Sequence, residues 1–297
     1  MYSDKITFVL FMFNEEARVD RAVRNFIKHG RVLIVDCFST DRTCEIAISL
    51  GAEILKYQNH GWVEDEVTTD LIKATVKTPW IYWGFADEIV DRATMDAMIA
   101  AVEGERYAIV NIARKNYYYG EFCHDAYEST QNRAFKKEAI DFKGNRIHSF
   151  GKTTVPESAI LYLDPNDHWV HHFISNTAKV YNRSLDSYSD IEAADAPLPS
   201  PLKMLVRMIG GFVRNYFVRG GRKAGRAGLY LGMQMAFYQL MIAMKAYERE
   251  HKLVKETIEE KIRLLQKRKA ALAQDILGEE NFASALTLDD FKFLLGA

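Results

Sequence analysis

The chain has 297 residues, 48% of them apolar and 27% charged, and a formal net charge of −1. This composition belongs to a folded globular protein and excludes a disordered one, and a net charge so near zero argues against a nucleic-acid binder working by bulk electrostatics. The three cysteines, Cys37, Cys44 and Cys123, form no CxxC pair. That excludes a disulfide scaffold and a structural zinc site, and fits a reducing cytosol.

In chain order, residues 5–13 are apolar on both faces, as a central parallel strand requires. They lack a preceding basic region and a cleavage site, so a buried strand explains them better than a signal peptide. Residues 15–29 place Val19, Ala22, Val23, Phe26 and Ile27 at helical spacing, and Gly30 ends that helix. Residues 31–36 (RVLIVD) are a second strand. A helix capped by Ser39, Thr40 or Asp41 follows and stops at Gly51. Residues 52–56 form a third strand, 64–77 a helix broken by Pro79, 80–85 a fourth strand, 94–102 a helix and 107–113 a fifth strand. Repeated strand–helix units imply an α/β sheet with crossover helices, and such sheets bind ligands outside the carboxyl ends of their strands.

Polar residues gather at those ends: Asn14-Glu15-Glu16 after the first strand, Asp36 and Ser39-Thr40-Asp41 after the second, Asp87-Glu88 after the fourth. Taken singly, each is equally well a helix cap or a first-turn acid favoured by the helix dipole. Three acidic clusters at three strand ends instead form a rim suited to a ribose, a base N–H or a divalent metal. No GxGxxG or GxxxxGK[ST] occurs, which excludes the usual dinucleotide and P-loop sites.

The run FNEEARVDRAVRNF…VLIVDCFSTDRTCEIAISLGAEI resembles the start of family 2 glycosyltransferases, and WIYWGFADEIV resembles their next landmark. RKNYYYGEF, QNRAFKK, RIHSFGK and VHHF narrow the likeness to lipopolysaccharide-core glucosyltransferases. The resemblance implies a GT-A fold: a Rossmann-like, mixed, mostly parallel sheet flanked by helices, here with a C-terminal helical extension. It implies a nucleotide-sugar donor, usually UDP-linked, against Phe13, Asn14, Glu15, Asp36, Ser39, Asp41 and Asp87. It also implies Mg²⁺ or Mn²⁺ at Asp87, with His171 or His172 completing the shell. The family's Asp-x-Asp reads Phe85-Ala86-Asp87 here, so one carboxylate is missing. A degenerate protein that binds nucleotide or glycan as an assembly partner is the alternative.

An inverting transfer needs a base to deprotonate the acceptor. Asp125 and Glu128 fall where the family places its acid, with Glu157 a further choice; taken singly, each reads more readily as a solvated loop carboxylate than as a base. Arg133 and His148 lie on landmark positions where an acceptor or phosphate would be contacted, and Arg133 otherwise reads as a surface strand residue.

After Pro197, Pro199 and Pro201 the composition switches. From 201 to 231 there are seven basic residues, Lys203, Arg207, Arg214, Arg219, Arg222, Lys223 and Arg226, and no acid. Apolar residues recur among them at helical spacing, the pattern of an interfacial membrane anchor, and residues 229–244 follow as a very apolar helix at the short end of the spanning range. Residues 248–277 are charged and helical with near-heptad apolar positions, suited to pairing with a second copy or folding back. The expected organisation is a catalytic domain over 1–196, a membrane-associating helical region over 197–247 and a helical extension over 248–297. The expected setting is cytoplasmic, peripheral to an anionic membrane surface, with a saccharide or lipid-linked acceptor and no nucleic acid.

Overall fold

The structure, a computed structural model, describes residues 2–58, 62–122, 129–145, 149–175 and 177–251. The elements in chain order are β1 (Ile6–Met12), α1 (Val19–Phe26), β2 (Arg31–Asp36), α2 (Thr43–Ser49), β3 (Glu53–Lys56), α3 (Glu66–Thr75), β4 (Trp80–Phe85), β5 (Glu88–Val90), α4 (Arg92–Glu103) and β6 (Ile109–Tyr118). They continue with β7 (Glu121–Phe122), β8 (Ser129–Lys136), β9 (Ile140–Asp141), β10 (Lys152–Thr153), β11 (Ile160–Tyr162), β12 (Trp169–Ser175), α5 (Ala178–Asp195), α6 (Pro201–Val213) and α7 (Gly225–Glu250).

β1 is buried along its whole length and lies between β2 and β4, parallel to both. Its alternate side chains feed two cores. Ile6, Phe8, Leu10 and Met12 pack with Val19, Val23 and Phe26 of α1 and with Met95, Met98 and Ile99 of α4. Val9 and Phe11 face Ile72 of α3 and Trp83. Helices therefore cover both faces of the sheet, and each fully buried side chain such as Phe8 contributes roughly 1.5–3 kcal/mol. Asp65 and Asp91 cap α3 and α4, accepting from the backbone N–H of Thr68 and Thr94.

The main sheet runs β3-β2-β1-β4-β8-β6-β12-β5, with β7 and β11 also paired to β6. The expected α/β class with a mixed, mostly parallel sheet is what the strands form. β8 is antiparallel to both β4 and β6, and β5 is antiparallel to β12. β6 runs five residues beyond the expected strand, to Tyr118, because β12 pairs with that extension.

α5, which falls within the expected 1–196 domain, is followed by α6 and α7, which span most of the expected 197–247 helical region. Tyr118, Tyr181, Leu185, Leu231, Tyr238 and Ile242 join α5 and α7 to the sheet in a third core. The turn over Gly221–Ala224 packs closely on α7 at glycines: a Cβ on Gly228 would lie 1.7 Å from the Gly221 carbonyl oxygen. Among the described residues, no helix is long and apolar enough to cross a membrane. Of the 248–297 extension only the end of α7 and His251 are described; residues 252–297 lie outside.

Candidate functional site at the strand ends

The turns after β1 and β2 are stitched together by side chains. The Asn14 N–H donates to Ser39 Oγ (2.8 Å), and Asn14 Oδ1 accepts from the Thr40 N–H (2.8 Å). The Glu15 N–H donates to Thr43 Oγ1 (2.7 Å) and the Glu16 N–H to Asp41 Oδ2 (3.0 Å). Asp41 Oδ1 accepts from the Thr43 N–H and hydroxyl. Asn14 sits at φ 54°, in the left-handed region that Asn tolerates better than most residues. Ser39 Oγ and both Asp41 oxygens are thus engaged within the protein and shape the rim, while Phe13 stands exposed beside it.

Asp36 is fully buried at the end of β2. Its Oδ2 accepts from Lys56 Nζ (2.6 Å) and the Ser39 N–H (3.0 Å). Its Oδ1 is buried with no hydrogen-bond partner among the described residues. Burial pushes the carboxyl up, but the bonds from Lys56 and Ser39 outweigh it and hold Asp36 below the usual carboxylate range. The result is an ionised acceptor with one oxygen unspent.

Asp87, after β4, has the same character. Its Oδ1 is buried and unpartnered among the described residues, and its Oδ2 lies 3.4 Å from His172 Nε2. Burial raises its pKa, but the charge and hydrogen bond of His172, with Arg18 behind them, bring it below its ordinary value. His172 Nδ1 pairs with Asn116 Oδ1 (2.8 Å), which fixes the ring and leaves Nε2 facing Asp87. His171 is on the other face of β12, its Nδ1 2.9 Å from the Tyr117 hydroxyl and its Nε2 3.9 Å from Asp91. The histidine brought to Asp87 is therefore His172 and not His171, because successive strand residues point to opposite faces.

Glu15 and Arg18 form a two-point ion pair (Nε–Oε2 2.6 Å, Nη2–Oε1 2.6 Å). Burial outweighs the pairing and leaves Glu15 raised.

Arg133 is neither a surface residue nor placed to touch a phosphate. It is fully buried; Nη1 donates to the Trp83 carbonyl (2.9 Å) and Nη2 to Glu88 Oε1. A second cation, Arg114 Nη1, lies 3.8 Å from the same Glu88 oxygen. Glu88 adjoins Asp87, so this buried charge cluster braces the site from behind. Asp125, Glu128 and His148 lie outside the described residues.

A cavity of about 220 Å³ opens at the ends of β1, β2 and β4. Phe13, Trp62, Phe85 and Tyr188 give it aromatic walls, with Cys37 and Glu64 also lining it. None of the expected acids lines it directly, although Asp36 adjoins Cys37 and Asp87 is two residues from Phe85. Burial pushes the Glu64 carboxyl up. Burial also pushes the Tyr188 phenol up, and the negative charges of Glu64 and Asp87 add to it.

Sequence reasoning missed Lys56, Arg18, Glu64, His172 as the nearer histidine, and Tyr188. Lys56 was within reach, since it is the register partner of Asp36 across β2 and β3. Glu64 reads as an ordinary acid ahead of a helix, and Tyr188 comes from α5, far along the chain.

Fold and site together define a two-sided α/β protein whose polar site lies outside the carboxyl ends of its parallel strands. No protein-family model matches the chain. Over 267 residues it is 24% identical to a protein of Rickettsia bellii named as an uncharacterized glycosyltransferase, a match spanning 84% of this chain and 88% of that one. A second so named, from Rickettsia typhi, is 23% identical, with 82% of this chain and 87% of that one covered. Among solved structures it overlays on S. aureus TarS 1–349 in complex with UDP-GlcNAc, with TM-score 0.42, 10% identity, and 84% of this chain and 92% of that one covered. It spans 55% of the longer TarS chain. Overlays this loose decide nothing, and the fold rests on the strand order itself.

Proposed function

We propose that this protein is a glycosyltransferase. It moves a sugar, a hexose from a UDP donor, onto a saccharide or lipid-linked acceptor at an anionic membrane surface, inverting the anomeric carbon. One observation carries the reading: two ionised aspartates, the buried Asp36 and the half-buried Asp87, each with a buried, unspent oxygen, flank an aromatic-walled cavity at the strand ends. The similarity to proteins named glycosyltransferases supports it.

In this reading the aromatic walls hold the planar base and Asp36 accepts from a base or ribose donor. Lys56 keeps Asp36 ionised, and Arg18 adds positive charge near Asp87. The donor set at Asp87 fits a divalent cation only in part. Asp87 offers one unpartnered carboxylate oxygen and His172 one ring nitrogen, and among the described residues no cluster of three His, Cys, Asp or Glu side chains could hold a metal. A hard cation takes six or more ligands, so Asp87 and His172 would hold Mg²⁺ or Mn²⁺ together with diphosphate oxygens and water. When bound, the ion offsets the negative charge that develops on the leaving diphosphate. Asp125 and Glu128 remain the proposed acceptor bases.

Calorimetry with UDP tests the reading. The wild type should bind UDP, more tightly with Mn²⁺ present, and Asp36→Ala should weaken binding at least tenfold. Unchanged binding in Asp36→Ala would remove Asp36 from the site.

A further inference from the structure

None of the 13 residues of α6 is buried. Leu202, Val206 and Ile209 are 72%, 61% and 55% exposed, and Leu205 and Val213 are exposed with them. These five recur at intervals of three and four, so they form one stripe along the helix. The stripe is not the face that holds α6 to α7. That contact runs through Gly211 and Phe212: a Cβ on Gly211 would lie 3.3 Å from the Met235 carbonyl oxygen, and one on Gly232 would lie 3.1 Å from the Phe212 ring. A helix already packed on one side should present polar residues on its outer side. α6 presents aliphatic ones.

The charge beside the stripe is of one sign. Lys203, Arg207 and Arg214 lie about a third of a turn from it, at about 100° per residue. Residues Arg214–Val218 form a π-helical turn that exposes Phe217 and Val218. A 3-10 turn over Gly221–Ala224 then presents Arg222 and Lys223, and Arg226 is exposed at the start of α7. None of Lys203, Arg207, Arg214, Arg222, Lys223 and Arg226 is ion-paired to another described residue. An exposed aliphatic stripe with unpaired cations along its flank complements a lipid surface, where the apolar groups enter the acyl boundary and the cations meet anionic headgroups.

We infer that α6, with the π-helical turn and the basic turn before α7, is an interfacial anchor that lays the protein on an anionic lipid surface. The inference deepens the proposed activity by naming the element that meets the acceptor's membrane, and it stands on observations independent of the donor site. The anchor is coupled to that site through α5, which packs on α7 and carries Tyr188 into the cavity wall.

The test is co-sedimentation of the full chain with two kinds of vesicle, phosphatidylcholine alone and equal parts phosphatidylcholine and phosphatidylglycerol. The full chain should pellet with the mixed vesicles, stay in solution with phosphatidylcholine alone, and dissociate as salt rises. Val206→Glu/Ile209→Glu should abolish pelleting. Arg207→Glu should lower the partition coefficient on the order of fivefold or more, the equivalent of about 1 kcal/mol per basic group. The thermal melts of both variants should match wild type, since the altered side chains are exposed. Failure of the full chain to bind mixed vesicles overturns the inference, whether residues 252–297 or a second copy covers the stripe. Binding that Val206→Glu/Ile209→Glu leaves intact also overturns it. UDP calorimetry on the same samples reports the donor site separately, so loss of one result does not disguise loss of the other.

Discussion

Removing Arg133 is the most informative perturbation of the site's foundation. The Arg133 guanidinium and the Glu88 carboxylate are both fully buried and bonded to each other. Removing one partner of a buried pair costs about 3–5 kcal/mol, because the other charge is left uncompensated. Arg114 remains 3.8 Å from Glu88. At that separation and an effective dielectric of about 20, such a pair interacts by about 4 kcal/mol, so Arg114 offsets part of the loss. Arg133→Met also forfeits the bond to the Trp83 carbonyl, about 1 kcal/mol. The expected destabilisation is therefore near the lower end, about 3 kcal/mol, or a fall in Tm of about 5 °C for a chain of this size. Urea unfolding of Arg133→Met, Glu88→Leu and the double variant measures it. The double variant should recover much of the loss, since a buried pair replaced by apolar groups is often neutral. A single-variant loss below about 1 kcal/mol, or strictly additive effects, would refute the buried-pair account and return Arg133 to the surface.

Asn14→Val should cost about 2–3 kcal/mol in urea unfolding, from left-handed strain and the lost Thr40 bond, while Asn14→Gly, which relieves the strain, should cost about 1 kcal/mol. Equal losses would contradict the role of φ at Asn14. Because the pKa of Asp36 is depressed in the folded state, its contribution to stability is complete above the unfolded value near 3.9 and is lost as pH falls through the lower folded value. Lys56→Met removes the cation bonded to Asp36, so its acid unfolding should begin at higher pH than in wild type; coincident profiles would exclude the pairing. Glu64→Gln should leave the melt nearly unchanged but alter UDP affinity measured by calorimetry, and an unchanged affinity would place the ligand away from Glu64.

The parts of the site written locally were legible in the sequence. Buried parallel strands announce themselves as unbroken apolar runs, and the polar residues just beyond them mark the ligand end of the sheet. What depended on which way a side chain points was not legible. Arg133, in the polar-looking strand QNRAFKK, reads as exposed until β8 is placed antiparallel between β4 and β6, which turns it inward onto Glu88. His171 and His172 are adjacent, and only the register of β12 against β6 puts His172 beside Asp87. Ser39 and Asp41 look like ligand-binding groups in the chain; the turn geometry uses their oxygens to join two loops. The helices over the basic segment from 201 and the apolar run from 229 were legible because charge segregation survives any choice of register.

The central claim is tested most directly by UDP release from a panel of UDP-hexoses with Mg²⁺ or Mn²⁺, in the presence of mixed phosphatidylcholine and phosphatidylglycerol vesicles. The wild type should release UDP from one donor well above background, and Asp87→Ala should reduce that release by a hundredfold or more while retaining the fold. No release from any donor, together with no UDP binding by calorimetry, would contradict it.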